Sequence, residues 1–188
     1  PFPKTIDETG ALALLSPSKD VDCATDSMLL ATLSGRPCAL APCTAEAVIA
    51  ILDHYGIEIA GARAAVVGRS NVIGRPVAAL LTMRDATVTL CHSRTVDLPS
   101  VTREAEILVV AAGRARMIGS GYVAPGQTVI DVGINWDEAS QKLVGDVDAE
   151  AIKDTVAAYT PVPGGVGSVT TAILAKHVIE AAERTLVS

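Results

Sequence analysis

Residues 64–76 read Ala64-Ala65-Val66-Val67-Gly68-Arg69-Ser70-Asn71-Val72-Ile73-Gly74-Arg75-Pro76: a short apolar run, a polar loop bounded by glycines, and a proline. A run this short that ends at glycine reads as a buried strand, and proline suits the first turn of a helix, where its missing N–H has no helical partner. A strand, a loop and a helix in that order open a parallel α/β unit. The free N–H groups and dipole of the helix start favour an anion, and glycine lets a ligand approach the backbone. The spacing is not G-x-G-x-x-G, so a merely structural turn remains an equal reading of these residues taken alone.

Outward from this unit, further apolar runs at 87–90, 107–111 and 128–131 are separated by stretches long enough for a crossover helix or turn. Strands alternating with crossovers predict an α/β fold built on a doubly wound parallel sheet. Upstream, Thr44 is the expected N-cap of a helix reaching Gly56. Glu46 sits in its first turn, and Val48, Ile49, Ile51, Leu52 and Tyr55 fall at helical spacing. Downstream, Pro161-Val162-Pro163-Gly164-Gly165-Val166-Gly167 predicts an irregular loop, with Ser168 capping a helix over 169–186. The leading stretch differs: Pro1-Phe2-Pro3 is unsuited to a central strand, and 17–22 reads as a polar loop after a short helix. The two flanks are expected to be pieces of a second domain whose opening elements are absent.

With 188 residues, 49% hydrophobic but only 3% aromatic, the core must be built from Ala, Val, Ile and Leu, which suits helices on a parallel sheet. Mean hydropathy is +0.40, yet no apolar run approaches the roughly 18 residues of a membrane span. The first ten residues lack the basic start and apolar stretch of a secretory signal. A cytoplasmic protein is expected. A net charge of −6 argues against nucleic acid as a partner. Four cysteines and three histidines without a C-x-x-C pair predict reduced thiols and no metal site. Cys91-His92 could suggest a nucleophile and base, but neighbours in a strand point to opposite faces, which favours packing.

The end of the second run carries information about a ligand. Dinucleotide folds that use NAD place an acid there; this chain has Leu90-Cys91-His92-Ser93-Arg94-Thr95, a hydroxyl and a cation, while Arg69 stands in the first loop. Together these favour a 2′-phosphate, hence NADP over NAD; the competing reading is that Arg69 and Arg94 are solvated surface charges. Asp131-Val132-Gly133-Ile134-Asn135 ends the fourth run at the edge where such sheets bind ligands. Lys19-Asp20-Val21-Asp22 offers two carboxylates, either a solvated turn or a polar ligand site, and spacing leaves both open.

Taken in order, Lys19-Asp20-Val21-Asp22, Pro42-Cys43-Thr44, Gly68-Arg69-Ser70 with Gly74 and Pro76, Cys91-His92-Ser93, Asp131-Val132-Gly133-Ile134-Asn135, Gly145-Asp146-Val147 and Pro161 to Gly167 resemble the signatures of the bifunctional methylenetetrahydrofolate dehydrogenase/cyclohydrolases. The resemblance covers essentially the whole chain. It implies a Rossmann-like NADP domain over 43–160, the remainder of an α/β folate and catalytic domain over 1–42, and a loop and helix over 161–188 returning to that domain. It further implies a folate substrate in the cleft, a homodimer joined through the cofactor domain, and no metal. By likeness, Gly68, Arg69, Ser70 and Ser93 would hold the NADP phosphates, and Thr44, Ile134 and Thr170 would line its other contacts. Asp22 would hydrogen-bond the pterin, and Pro163, Gly164 and Gly165 would shape the folate side. The implied chemistry is oxidation of 5,10-methylenetetrahydrofolate to the methenyl compound and its hydrolysis to 10-formyltetrahydrofolate, the second step needing proton transfer.

Three departures qualify these implications. The family's acid–base lysine, with its tyrosine and a glutamine, is expected ahead of Pro1, so no catalytic residue is assigned here. A dehydrogenase without hydrolysis, or a non-catalytic NADP-binding fragment, is therefore the alternative. Cys23 stands where the family usually has glycine, which introduces strain if that position needs positive φ. Ser168 replaces a common proline.

Overall fold

Consecutive strand residues face two different cores, as a sheet covered on both sides requires. The computed structural model describes residues 5–35 and 40–187; Pro1-Phe2-Pro3 and Cys38 lie outside the described residues. Five parallel strands, β1 (Arg63–Val67), β2 (Thr87–Cys91), β3 (Ile107–Val110), β4 (Thr128–Asp131) and β7 (Ala158–Tyr159), form one sheet in the order β2-β1-β3-β4-β7. A hairpin of β5 (Asn135–Asp137) and β6 (Lys142–Val144) stands apart from it. The expected Rossmann-like α/β fold is what the chain adopts.

Ala64 and Val66 of β1 join Ile107 and Val109 of β3 in one core, under α3 (Cys43–His54), α4 (Gly74–Met83) and the start of α7 (Val166–Val187). Ala65 and Val67 join Leu108 and Val110 in the other, under α5 (Leu98–Arg103) and α6 (Ala149–Ile152). Each such side chain, buried to within 3% of completely, contributes about 1.5–3 kcal/mol for the larger aliphatics. The register pairs Val67 with both Cys91 and Val110, and Val110 with Asp131. Four strands therefore end at one level, and the loops beginning at Gly68, His92, Ala111 and Val132 share one edge.

The leading stretch supplies α1 (Glu8–Ala13), a 3-10 turn (Pro17–Lys19) and α2 (Asp26–Leu33). Two helix starts differ from expectation. Thr44 is not a cap: α3 begins at Cys43 after Pro42, and the Cys43 N–H donates to Asp22 Oδ1 at 3.3 Å, so a carboxylate distant in sequence takes the capping role. Ser168 is not a cap either. Gly164, with φ of +98°, completes the turn early, α7 starts at Val166, and the Ser168 N–H already donates to the Gly165 carbonyl at 3.1 Å. Among the described residues, no helix is long and apolar enough to cross a membrane.

Candidate functional site

The sheet order turns at β1, because β2 lies on one side of it and β3 on the other; the crevice beyond their carboxyl ends is where open α/β sheets take ligands. Gly68 occupies that crevice with φ of +123°, and a side chain there would strike the Ala111 carbonyl oxygen. Its N–H donates to the Cys91 carbonyl at 3.0 Å, which clasps the loop after β1 to the end of β2. Gly74 is required for a related reason: a Cβ would collide with the Gly68 carbonyl on which the start of α4 sits. Ser70 Oγ accepts the Ile73 N–H at 3.1 Å, so this hydroxyl faces the helix start.

Arg69 and Ser70 are exposed on the crest of this loop, and Ser93 and Arg94 are exposed on the next one. That second turn is shaped by the His92 N–H donating to Thr95 Oγ1 at 2.8 Å and the Arg94 N–H donating to His92 Nδ1 at 3.1 Å. Among the described residues, no ion pair engages Arg69 or Arg94. Two adjoining loops thus present uncompensated cations and hydroxyls at the same edge.

Beside them lies a cavity of about 620 Å3 that brings together Thr44, Ser70, Ile134 and Thr170 from four separate parts of the chain. The volume is within the range of small-molecule sites. A second cavity of about 210 Å3 is lined by Pro163, Gly164 and Gly165. Residues 132–134 and the first residues of α7 border both cavities, so Ile134, 62% exposed, stands at their junction. Gly68, Arg69, Ser93 and Asp22 line neither one. Asp22 is placed at the amino end of α3, one residue from Thr44.

The walls of the first cavity are held by two buried carboxylates. Asp146 is fully buried and accepts the N–H groups of Ala112, Gly113 and Arg114 at 2.6, 2.7 and 2.9 Å, and Asn135 Nδ2 at 2.9 Å. Asp131 accepts the N–H groups of Gly133, Asp146 and Val147 at 2.9, 3.0 and 2.9 Å. Burial pushes the Asp131 carboxyl above the usual carboxylate range, with the three N–H donors pulling the other way. Neither Gly113 nor Asp146 was assigned to a site from sequence. Their signals were present: Ala111-Ala112-Gly113 ends the third strand at the ligand edge, and Asp146 lies in a glycine-led block.

Of the two leading-loop carboxylates, Asp20 is structural, being buried and accepting the Ala24 and Thr25 N–H groups at 2.9 and 2.8 Å. Asp22 is the exposed one. Cys23 beside it has φ of +53°, the left-handed conformation that costs a side-chain-bearing residue. Cys91 is fully buried, and burial raises its thiol, so packing rather than nucleophilic chemistry accounts for it. No disulfide joins Cys23, Cys43 or Cys91, and no metal-binding cluster occurs among the described residues.

Residues 42–186 match the family model described as tetrahydrofolate dehydrogenase/cyclohydrolase, NAD(P)-binding domain. The bifunctional protein FolD 1 of Desulfitobacterium hafniense (strain Y51) is 51% identical over 181 residues, 96% of this chain and 64% of that protein. The FolD dehydrogenase/cyclohydrolase structure from Campylobacter jejuni superposes with a TM-score of 0.94 at 39% identity, over 98% of this chain and 65% of that one. The Trypanosoma brucei enzyme, solved with NADP cofactor and an inhibitor, gives 0.92 at 38% identity, over all of this chain and 66% of that one. The chain thus spans just under two thirds of the length of these relatives.

Proposed function

Because the chain belongs to the tetrahydrofolate dehydrogenase/cyclohydrolase family, we propose that it takes part in NADP-dependent oxidation of 5,10-methylenetetrahydrofolate and hydrolysis of the methenyl product to 10-formyltetrahydrofolate. The observation that carries this reading is the meeting of Thr44, Ser70, Ile134 and Thr170 around one cavity, next to the cavity of Pro163, Gly164 and Gly165. The residues fit the cofactor. Gly68 lets the loop after β1 pack closely on the Ala111 carbonyl, and Arg69, Ser70 and Ser93 supply charge and hydroxyls for the phosphates at the edge of β1 and β2. NADP, when bound, supplies the two-electron acceptor. Ile134 is the apolar surface between the cofactor and folate sides, and Asp22 is the acceptor for the pterin N–H groups.

In this reading residues 43–160 are the cofactor domain, with 1–42 and 161–188 on the folate side, and the cofactor domain joins two copies into a homodimer. One observation favours a narrower role. Among the described residues lining the two cavities, the only side chains that ordinarily titrate as acids or bases are Asp131 and Asp146. Both are occupied by backbone N–H groups. Proton transfer during ring opening is assigned to neither, and cofactor binding with oxidation alone, or without chemistry, is the second reading.

The test supplies methylenetetrahydrofolate and NADP to the purified protein and follows NADPH, methenyl and formyl products separately. NADPH formed together with the methenyl product supports the oxidation. Absence of NADP binding by calorimetry would remove the proposal.

A further inference from the structure

His177, on α7, is fully buried although histidine is a polar residue, and the cofactor and folate assignments make no use of it. Its Nδ1 lies 2.8 Å from the Val21 carbonyl oxygen, and its Nε2 lies 2.8 Å from Glu46 Oε2. The other Glu46 oxygen accepts Lys176 Nζ at 2.9 Å. A carbonyl oxygen can only accept, so Nδ1 carries a proton. A glutamate already paired with lysine is ionised, so it too accepts, and Nε2 carries a proton as well. The ring therefore needs both protons to satisfy its neighbours.

We propose that His177 is a buried imidazolium and a positioning residue, held by Glu46 and in turn holding the Val21 carbonyl, so that Asp22 is fixed against the amino end of α3. The connection is short. Val21 precedes Asp22 directly, and Asp22 Oδ1 accepts the Cys43 N–H at 3.3 Å. The clamp spans three separate parts of the chain: the leading loop, α3 and α7. Charged groups around it are Glu46 on α3, Lys176 and Glu180 on α7, and Asp22 on the loop.

Cys43 Sγ lies 3.4 Å from Nδ1, a distance that invites comparison with a thiol–imidazole catalytic pair. The surroundings exclude that role. Burial, followed by the Asp22 contact, pushes the Cys43 thiol above its ordinary value, opposite to what a nucleophile requires. The Cys43 S–H donates instead to the Val21 carbonyl at 3.4 Å, a second contact on the atom His177 holds.

The relevance to substrate rests on the assignment of Asp22 to the pterin, and the test separates the two. In nitrogen-detected NMR at neutral pH, both His177 ring nitrogens should show protonated signatures in the wild type. One unprotonated ring nitrogen would overturn the proposal. In His177→Gln and Glu46→Gln, amide exchange at Cys43 should quicken by about tenfold with the core amides of β1 and β3 unchanged. Unchanged Cys43 exchange in both variants would also overturn it, whatever their overall stability. With folate substrate, both variants should raise KM by about tenfold while NADP affinity and kcat hold within about twofold. If Cys43 exchange quickens yet neither these variants nor Asp22→Ala moves the folate KM, the positioning role stands and the Asp22 assignment falls.

Discussion

Arg69 stands exposed on the loop after β1, with no carboxylate neutralising it among the described residues, beside the turn that carries Ser93. Charge-assisted hydrogen bonds to a phosphate are worth about 1.5–3 kcal/mol each, enough to decide between cofactors differing only in a 2′-phosphate. Arg69→Ala should weaken NADP binding by about tenfold or more and leave NAD within about twofold, with the circular dichroism unchanged. Calorimetric titration of both cofactors measures this, and equal losses for both would show that Arg69 does not read the 2′ position. Cys23 provides a stability test at the same scale. Its φ of +53° penalises any Cβ, whereas its burial rewards the sulfur. Cys23→Gly should therefore be about 1 kcal/mol more stable than Cys23→Ala, since alanine keeps the strained Cβ and loses the sulfur. Urea unfolding of the two variants checks the order. The sequence made both residues conspicuous, Arg69 by its place after a strand and Cys23 by a departure from glycine. Thr44 misled because its apparent cap role ignored Asp22, which only tertiary structure brings to the start of α3.

The end of β4 is tied to residues 145–147 by Asp131, whose two oxygens accept three backbone N–H groups. An amide has one oxygen and turns its NH2 toward donors, so Asp131→Asn should destabilise the protein by about 2 kcal/mol. The pH dependence has a definite sign. Burial raises the folded pKa of Asp131, so between the ordinary carboxylate value and the raised one the folded state binds more protons than the unfolded. The contribution of this group to stability is then greatest at low pH and falls as pH rises through that window. The stability gap between wild type and Asp131→Asn, measured by urea unfolding at stepped pH, should narrow as pH rises; a gap that widens would contradict the direction. Strands β1 to β4 were legible because each is a run of four or five mainly apolar residues, most of them buried on both faces in β1, β3 and β4. The two-residue strand β7 and the hairpin were not. β7 is exposed and the hairpin partly so, leaving no apolar pattern to read.

The sheet, its covering helices and both buried cores are contained in residues 43–187, with α3 lying along α7. A parallel sheet covered on both faces supplies its own core. These 188 residues on their own should therefore fold and bind NADP while hydrolysing methenyltetrahydrofolate poorly, because general acid–base help is worth about 100-fold to 10,000-fold and, among the described residues, no side chain lining the two cavities around Ile134 is free to give it. Formyl product appearing well above the uncatalysed rate would place the base among residues outside the two cavities; failure to bind NADP would remove the cofactor assignment.

The hairpin also gives this molecule an optical property. Trp136, the chain's single tryptophan, is 54% exposed on β5, directly after Asn135, which anchors to Asp146, and close in sequence to Ile134 at the junction of the two cavities. Its emission begins near that of indole in water, so melting of the cores changes it little and thermal unfolding is better followed at the amide chromophore. A change in tryptophan emission on adding a ligand would therefore report a response of the hairpin to occupancy of the neighbouring crevice rather than the melting of the cores.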